Sequence, residues 1–159
     1  MVEKKFSADI GTVFDLLTNA KWLEQRSLDL GELSAAVKIK KSAKGTQVSM
    51  KRRVSRNLPA LIAKVLSPET DMTLEQGFSP DNDGYSGSLT LELAGQPVKI
   101  GGDFELQVSG KGCVYRIEHH AKCSVPLIGG AIEKYALSEV DQGCLDELDY
   151  LAAYLKKHK

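Results

Sequence analysis

Between residues 34 and 125 apolar and polar side chains alternate, and short turn signals interrupt the alternation. No other feature constrains the chain as strongly, because a period of two puts successive side chains on opposite faces of a β-strand and matches no helix. "AAVKIKK" and "TQVSMKRRVS" flank "SAKG"; "DMTLEQGF" and "YSGSLTLEL" flank "SPDNDG"; "PVKIGGDFELQV" and "CVYRIEHHAKCSV" flank "SGKG". Each set reads as a hairpin. With the alternating stretch "VEKKF" at 2–6 they predict seven strands in an antiparallel meander. Gly101 and Gly102 fall inside the sixth strand, where glycine marks a bulge or sharp bend, and predict strong curvature.

The rest of the chain has helical spacing. Ser7 reads as an N-cap, with Asp9 in the first turn of a helix to about Thr18 that carries Ile10, Val13, Phe14 and Leu17 on one face. "AKWLEQRSL" forms a second short helix that stops before Gly31. Pro126 ends the seventh strand because it cannot donate to the ladder, and Gly129 and Gly130 let the backbone turn. A long one-sided helix follows, with Leu137, Val140, Cys144, Leu148, Leu151 and Leu155 on its apolar stripe. Lys134, Glu139, Asp141, Asp146, Asp149 and Lys156 lie largely elsewhere on it. A curved sheet with that helix on its concave face is a two-layer α+β fold, and 159 residues suit one domain spanning 1–159.

This order of elements resembles the helix-grip architecture of the START-like (SRPBCC) superfamily, which includes pollen-allergen-like proteins, lipid-transfer domains and polyketide cyclases. More narrowly, "LPALIAKVLSP", "DGYSGSLTLELAGQPVKIGGDFEL" and "VPLIGGAIEKY" resemble a bacterial family of unassigned function within it. The resemblance implies a cavity between sheet and C-terminal helix and carries no catalytic motif.

Strand parity points mostly apolar residues inward, interrupted by Arg52, Gln76, Tyr85 and His119. A buried polar group without a partner costs about 1–3 kcal/mol, so each of the four needs an explanation. Either Arg52 snorkels to the rim, Tyr85 points its hydroxyl outward and Gln76 and His119 bond each other or a water, or the four orient the polar head of a ligand. On the second reading the ligand also touches Met50, Met72, Leu74, Leu91, Phe104 and Ile117. Glu133, one turn before Leu137, is expected to face the same space and to pair with Arg52 at the entrance. In a meander the connections 56–69, 94–97 and 126–130 share one end, which places the mouth there. Leu58, Leu61, Ile62, Val65, Leu66, Pro126, Leu127, Ile128, Gly129 and Gly130 would then form a lid or a plug.

Lys plus Arg and Asp plus Glu balance at 21 each, so no global field favours nucleic acid or an anionic membrane. "KRRVSR" lacks interleaved aromatics and reads as a solvated strand face. Cys113, Cys123 and Cys144 form neither a disulfide framework nor a Cys-x-x-Cys metal pair, which fits a reducing cytoplasm. His119 and His120 point to opposite faces of one strand and cannot share a metal. No signal core or membrane span is present. The expectation is therefore a cytoplasmic protein, without metal or cofactor, that carries, senses or sequesters a hydrophobic or amphipathic, lipid-like small molecule. The alternatives are a cyclase- or hydratase-type enzyme, with His119 as general base and Arg52 or Tyr85 stabilising an enolate, and an interaction module whose core is filled.

Overall fold

The computed structural model describes residues 1–158. Strand β1 (Val2–Phe6) leads into helices α1 (Ile10–Leu17) and α2 (Ala20–Asp29). The hairpin of β2 (Ser34–Ser42) and β3 (Gly45–Ser55) follows, then one turn of helix, α3 (Ala60–Ala63). Two more hairpins pair β4 (Glu69–Asp81) with β5 (Gly84–Leu93) and β6 (Val98–Ser109) with β7 (Gly112–Cys123), before the terminal helix α4 (Gly129–Lys157). The strands form one antiparallel seven-stranded sheet in the order β1-β7-β6-β5-β4-β3-β2. Its curved inner face grips α4, giving the expected α+β helix-grip arrangement. Among the described residues no helix is long and apolar enough to cross a membrane.

Alternation sets the inner face. Val48, Met50 and Val54 of β3, Met72, Leu74 and Phe78 of β4, and Leu89 and Leu91 of β5 are all buried. Phe78 packs edge-on against both Phe14 and Phe104, which joins α1 to the middle of the sheet. Each such side chain contributes about 1.5–3 kcal/mol by leaving water.

Several local expectations are corrected. The N-cap of α1 is Asp9, not Ser7; its carboxylate accepts from the Thr12 hydroxyl rather than from a backbone amide. Gly101 and Gly102 do not mark a bulge, because both pair one-to-one with β5 and β7. They are cut away for neighbouring imidazoles instead: a Cβ on Gly101 would lie 2.5 Å from the His120 ring. The left-handed turn before α4 falls on Leu127 (φ 68°), and neither Gly129 nor Gly130 adopts a positive φ. Gly129 is required by a close approach, since a Cβ there would sit 2.9 Å from the Cys123 carbonyl oxygen.

The stripe that α4 buries keeps Val140, Cys144, Leu148, Leu151 and Leu155 of the expected line and differs from it only at its start. Ile132, Ala136, Leu148 and Leu151 are its buried side chains, with Val140 and Cys144 packed between them, while Leu137 lies to one side. Spacings of four and three keep that line on one face.

Strand β2 is one edge of the sheet. Its outward Val37 amide donates to Glu24 of α2 at 2.9 Å, and Lys38, Lys40 and Lys41 along it are exposed.

Candidate functional site

Between the inner face and α4 lies a chamber of about 110 Å³. Its floor is apolar, with Val48, Met50, Leu74, Phe78, Leu89, Leu91 and Ile117, and Leu17 and Leu23 close one side. The α4 wall uses Glu139, Val140, Gly143, Cys144, Glu147 and Leu148, two adjacent helical rows of which only one is apolar.

The second row brings a charged cluster into the core. Arg52 of β3 donates from Nη1 to Glu147 Oε2 at 2.8 Å, and Arg26 Nη2 approaches the same oxygen at 3.3 Å. Glu32, in the connection after α2, lies 3.6 Å from Arg52 Nη1. The two arginines are only 4% and 6% exposed, so Arg52 does not snorkel to the rim. Arg26 belongs to the inner face of α2 together with Trp22, Leu23 and Ser27, and its guanidinium lies 5.8 Å from the Trp22 ring centroid. Burial by itself would raise the Glu147 carboxyl, but Arg26 and Arg52 outweigh burial and hold it below its ordinary value. The half-buried Cys144 thiol is pushed up to about 12, by loss of water contact first and then by the Glu147 charge, so it is neutral.

The other polar intruders take partners that parity alone does not reveal. Gln76 donates to the Tyr115 hydroxyl at 3.1 Å, not to His119. His119 meets Asp141 of α4, with Nδ1 2.8 Å from Oδ1. A carboxylate only accepts, so Nδ1 carries the proton in this pair. Gly102 pairs with His119 across the ladder, and a Cβ there would lie 3.2 Å from the imidazole Cδ2. Its missing side chain gives the ring its place.

Of the ligand contacts expected from sequence, Arg52, Gln76, His119, Met50, Met72, Leu74, Leu91 and Ile117 line the chamber. Tyr85, Phe104 and Glu133 do not. Tyr85 stacks on Phe14 at 3.8 Å and Phe104 stacks on Tyr115 at 5.7 Å. The expected Glu133–Arg52 pair is absent: Glu133 accepts from the Cys123 amide at 2.8 Å, because its helical row faces β7 while Arg52 faces the row of Glu147. Asp141, expected off the packed face, lies two turns after Glu133 in that same β7-facing row.

Two further spaces adjoin the chamber, one smaller and one larger than it. One of about 40 Å³ includes Leu58, Leu66 and Pro68 of the 56–69 connection. The other, about 230 Å³, opens beside Leu30, Gly31 and Glu32. Arg56 and Glu139, paired at 3.2 Å, border all three spaces. Within 56–69, Ile62 and Leu66 are buried whereas Leu61 is exposed, and in the 126–130 turn Pro126, Leu127 and Gly130 are exposed.

Sequence reasoning missed Arg26, Glu32, Tyr115, Asp141 and Glu147. Arg26 carried a usable signal, lying four residues after Trp22 and three after Leu23 on one helical face. Tyr115 shares the inward parity of Ile117 and His119. Glu147 had no local signal beyond adjacency to the apolar row.

Fold and site together define a helix-grip α+β protein with a small, partly charged internal chamber. The chain belongs to the family described as "Protein of unknown function (DUF2505)", whose model matches residues 1–155. No curated protein matches the sequence. Among solved structures it is similar to protein TTHA0849 from Thermus thermophilus, with a TM-score of 0.63 and 14% identity over 99% of this chain and 97% of that one. It is also similar to protein Ms6760 from Mycobacterium smegmatis, with a TM-score of 0.61 and 11% identity over 99% of this chain and 90% of the other. An uncharacterised protein from Rhizobium leguminosarum gives 0.59 and 14% over 98% and 92%. At these identities the likeness is one of fold.

Proposed function

We propose that this is a START-like protein of the cytoplasm that binds an amphipathic small molecule in the chamber between sheet and α4. One observation carries the reading. An apolar floor ends in buried charges whose hydrogen-bonding capacity the protein does not use up: the Nε–H groups of Arg26 and Arg52 and the Oε1 of Glu32 have no protein partner. Apolar pockets with a few convergent polar groups are the usual form of small-molecule sites. Size limits the ligand, because a cavity of roughly 150 Å³ takes up benzene and this chamber has about 110 Å³. A long acyl chain would need the adjoining spaces as well. Native mass spectrometry of freshly purified protein, with titration by the neutral fluorophore Nile red, tests the reading. A co-purifying mass or saturable binding near micromolar concentration is expected. No added mass and no saturable signal would overturn it.

A second reading is favoured by the His119–Asp141 pair. With Nδ1–H held by Asp141, Nε2 is left as the basic nitrogen of an imidazole at the chamber wall, as a cyclase- or hydratase-type general base requires. Arg52 then stabilises the enolate. Solvent deuterium exchange into the methyl group of acetophenone, followed by NMR, should be catalysed by the protein and lost in a folded His119→Gln variant. Exchange no faster than in buffer would overturn that reading.

A further inference from the structure

We infer that the chamber selects an uncharged head group, one that carries both a hydrogen-bond acceptor and a donor as an alcohol, phenol or carboxamide does, on an apolar body of about benzene size. The inference rests on the reading that the chamber holds a small molecule, and two independent features of the wall lead to it.

The first is charge balance. Three guanidiniums, of Arg26, Arg52 and Arg56, and three carboxylates, of Glu32, Glu139 and Glu147, line the chamber. They are paired among themselves: Arg26 and Arg52 with Glu147, Arg52 with Glu32, and Arg56 with Glu139. The remaining titratable cation is His119, and it faces Asp141. A protonated His119 would only balance Asp141, and a neutral one leaves the carboxylate in excess. In neither state does the wall hold surplus positive charge. An incoming carboxylate would therefore sit beside Glu147 with no cation of its own, and an ion taken out of water without a counter-ion is strongly disfavoured. An ammonium fares no better, because Glu32, Glu139 and Glu147 are already engaged and Asp141 does not line the chamber.

The second feature is unfilled hydrogen bonding. Arg26 and Arg52 are each more than nine-tenths buried and each keeps an Nε–H without a partner, while Glu32 Oε1 is a buried acceptor in the same condition. A guanidinium cannot accept and a carboxylate cannot donate. A head group that reaches these atoms therefore has to offer an acceptor to the arginines and a donor to Glu32. Hydroxyl and carboxamide groups meet both demands without adding charge.

The test uses four ligands that share one ring: benzyl alcohol, benzamide, benzoate and benzylamine, titrated into the intact protein by NMR. The alcohol and the amide should bind at least about tenfold more tightly than either ion. Glu147→Gln removes the carboxylate shared by the two arginines and should invert the order in favour of benzoate. Glu32→Gln does the same at the edge of the cluster and serves if the first variant does not fold. Benzoate binding the unaltered protein as tightly as benzyl alcohol would overturn the neutral-head inference and leave the small-molecule reading standing. Saturable binding of none of the four would overturn both, water then being the partner of the unfilled groups. An unchanged order in folded Glu147→Gln and Glu32→Gln proteins would overturn the charge argument.

Discussion

A guanidinium removed from water needs its counter-charge within contact distance, and Arg52 finds it in Glu147 at 2.8 Å. Removing one partner of such a pair strands the other. Arg52→Met should therefore cost about 3–5 kcal/mol, and adding Glu147→Gln should restore part of the loss. Urea midpoints on that cycle should give a coupling above about 0.5 kcal/mol, whereas the cycle of Arg52→Met with Glu133→Gln should give none beyond that limit. Coupling to Glu133 in place of Glu147 would contradict the structure. Acid should act through the same carboxylate. Its folded pKa lies below the ordinary 4.5, so near and below that pH the unfolded chain binds a proton that the folded one resists. The contribution of Glu147 is complete above pH 4.5 and is lost as the pH falls toward its lower folded value. Glu147→Gln should flatten the fall of the urea midpoint across that range; an unchanged slope would show that the charge does not stabilise the fold. Strand parity was enough to read Arg52 as inward, because it depends only on counting by twos. Its partner was unreadable, because residue 147 lies 95 positions away and its approach depends on the rotation of α4 about its axis.

At the level of elements, period and turn chemistry made all seven strands and the three longer helices legible, since each leaves its pattern within a dozen residues. The inner face of α4 was only half legible. A count of apolar spacings finds the row of Val140, Cys144 and Leu148 and passes over Glu139, Gly143 and Glu147 beside it, because a charged side chain scores as surface whether or not another element neutralises it. The 56–69 connection shows the same limit. Its composition marked the whole segment as apolar cover, but the single turn of α3 can turn only part of it inward. Ile62 is 4% exposed and Leu61 43%. Ile62→Ser should accordingly lower stability by about 2 kcal/mol or more, and Leu61→Ser should stay within about 0.5 kcal/mol of the parent. Urea denaturation compares them directly, and equal losses would show that α3 packs with a different face.

For the whole molecule, the sequence supported a curved sheet wrapped on a helix, because antiparallel hairpins in series have few other ways to bury one face each. It did not support the chamber's polar wall, which is assembled from α2, the 30–33 connection, β3, β7 and α4 and exists only once they are docked. An open sheet of seven strands also has two borders, and these bear on how copies of the chain meet. β1 is short and is held to α4 through Lys4 and Asp149. β2 is longer, and a second copy could extend the ladder along it unless something forbids that. Glu24 already occupies the outward Val37 amide, and Lys38, Lys40 and Lys41 would be brought against their own duplicates. Glu24→Ala combined with Lys38→Thr and Lys40→Thr should therefore raise concentration-dependent light scattering well above that of the parent, and equal scattering would show that the border needs no guard. If the guard holds, a ribbon of unpaired backbone stays too crowded with charge to template the growth of a fibril.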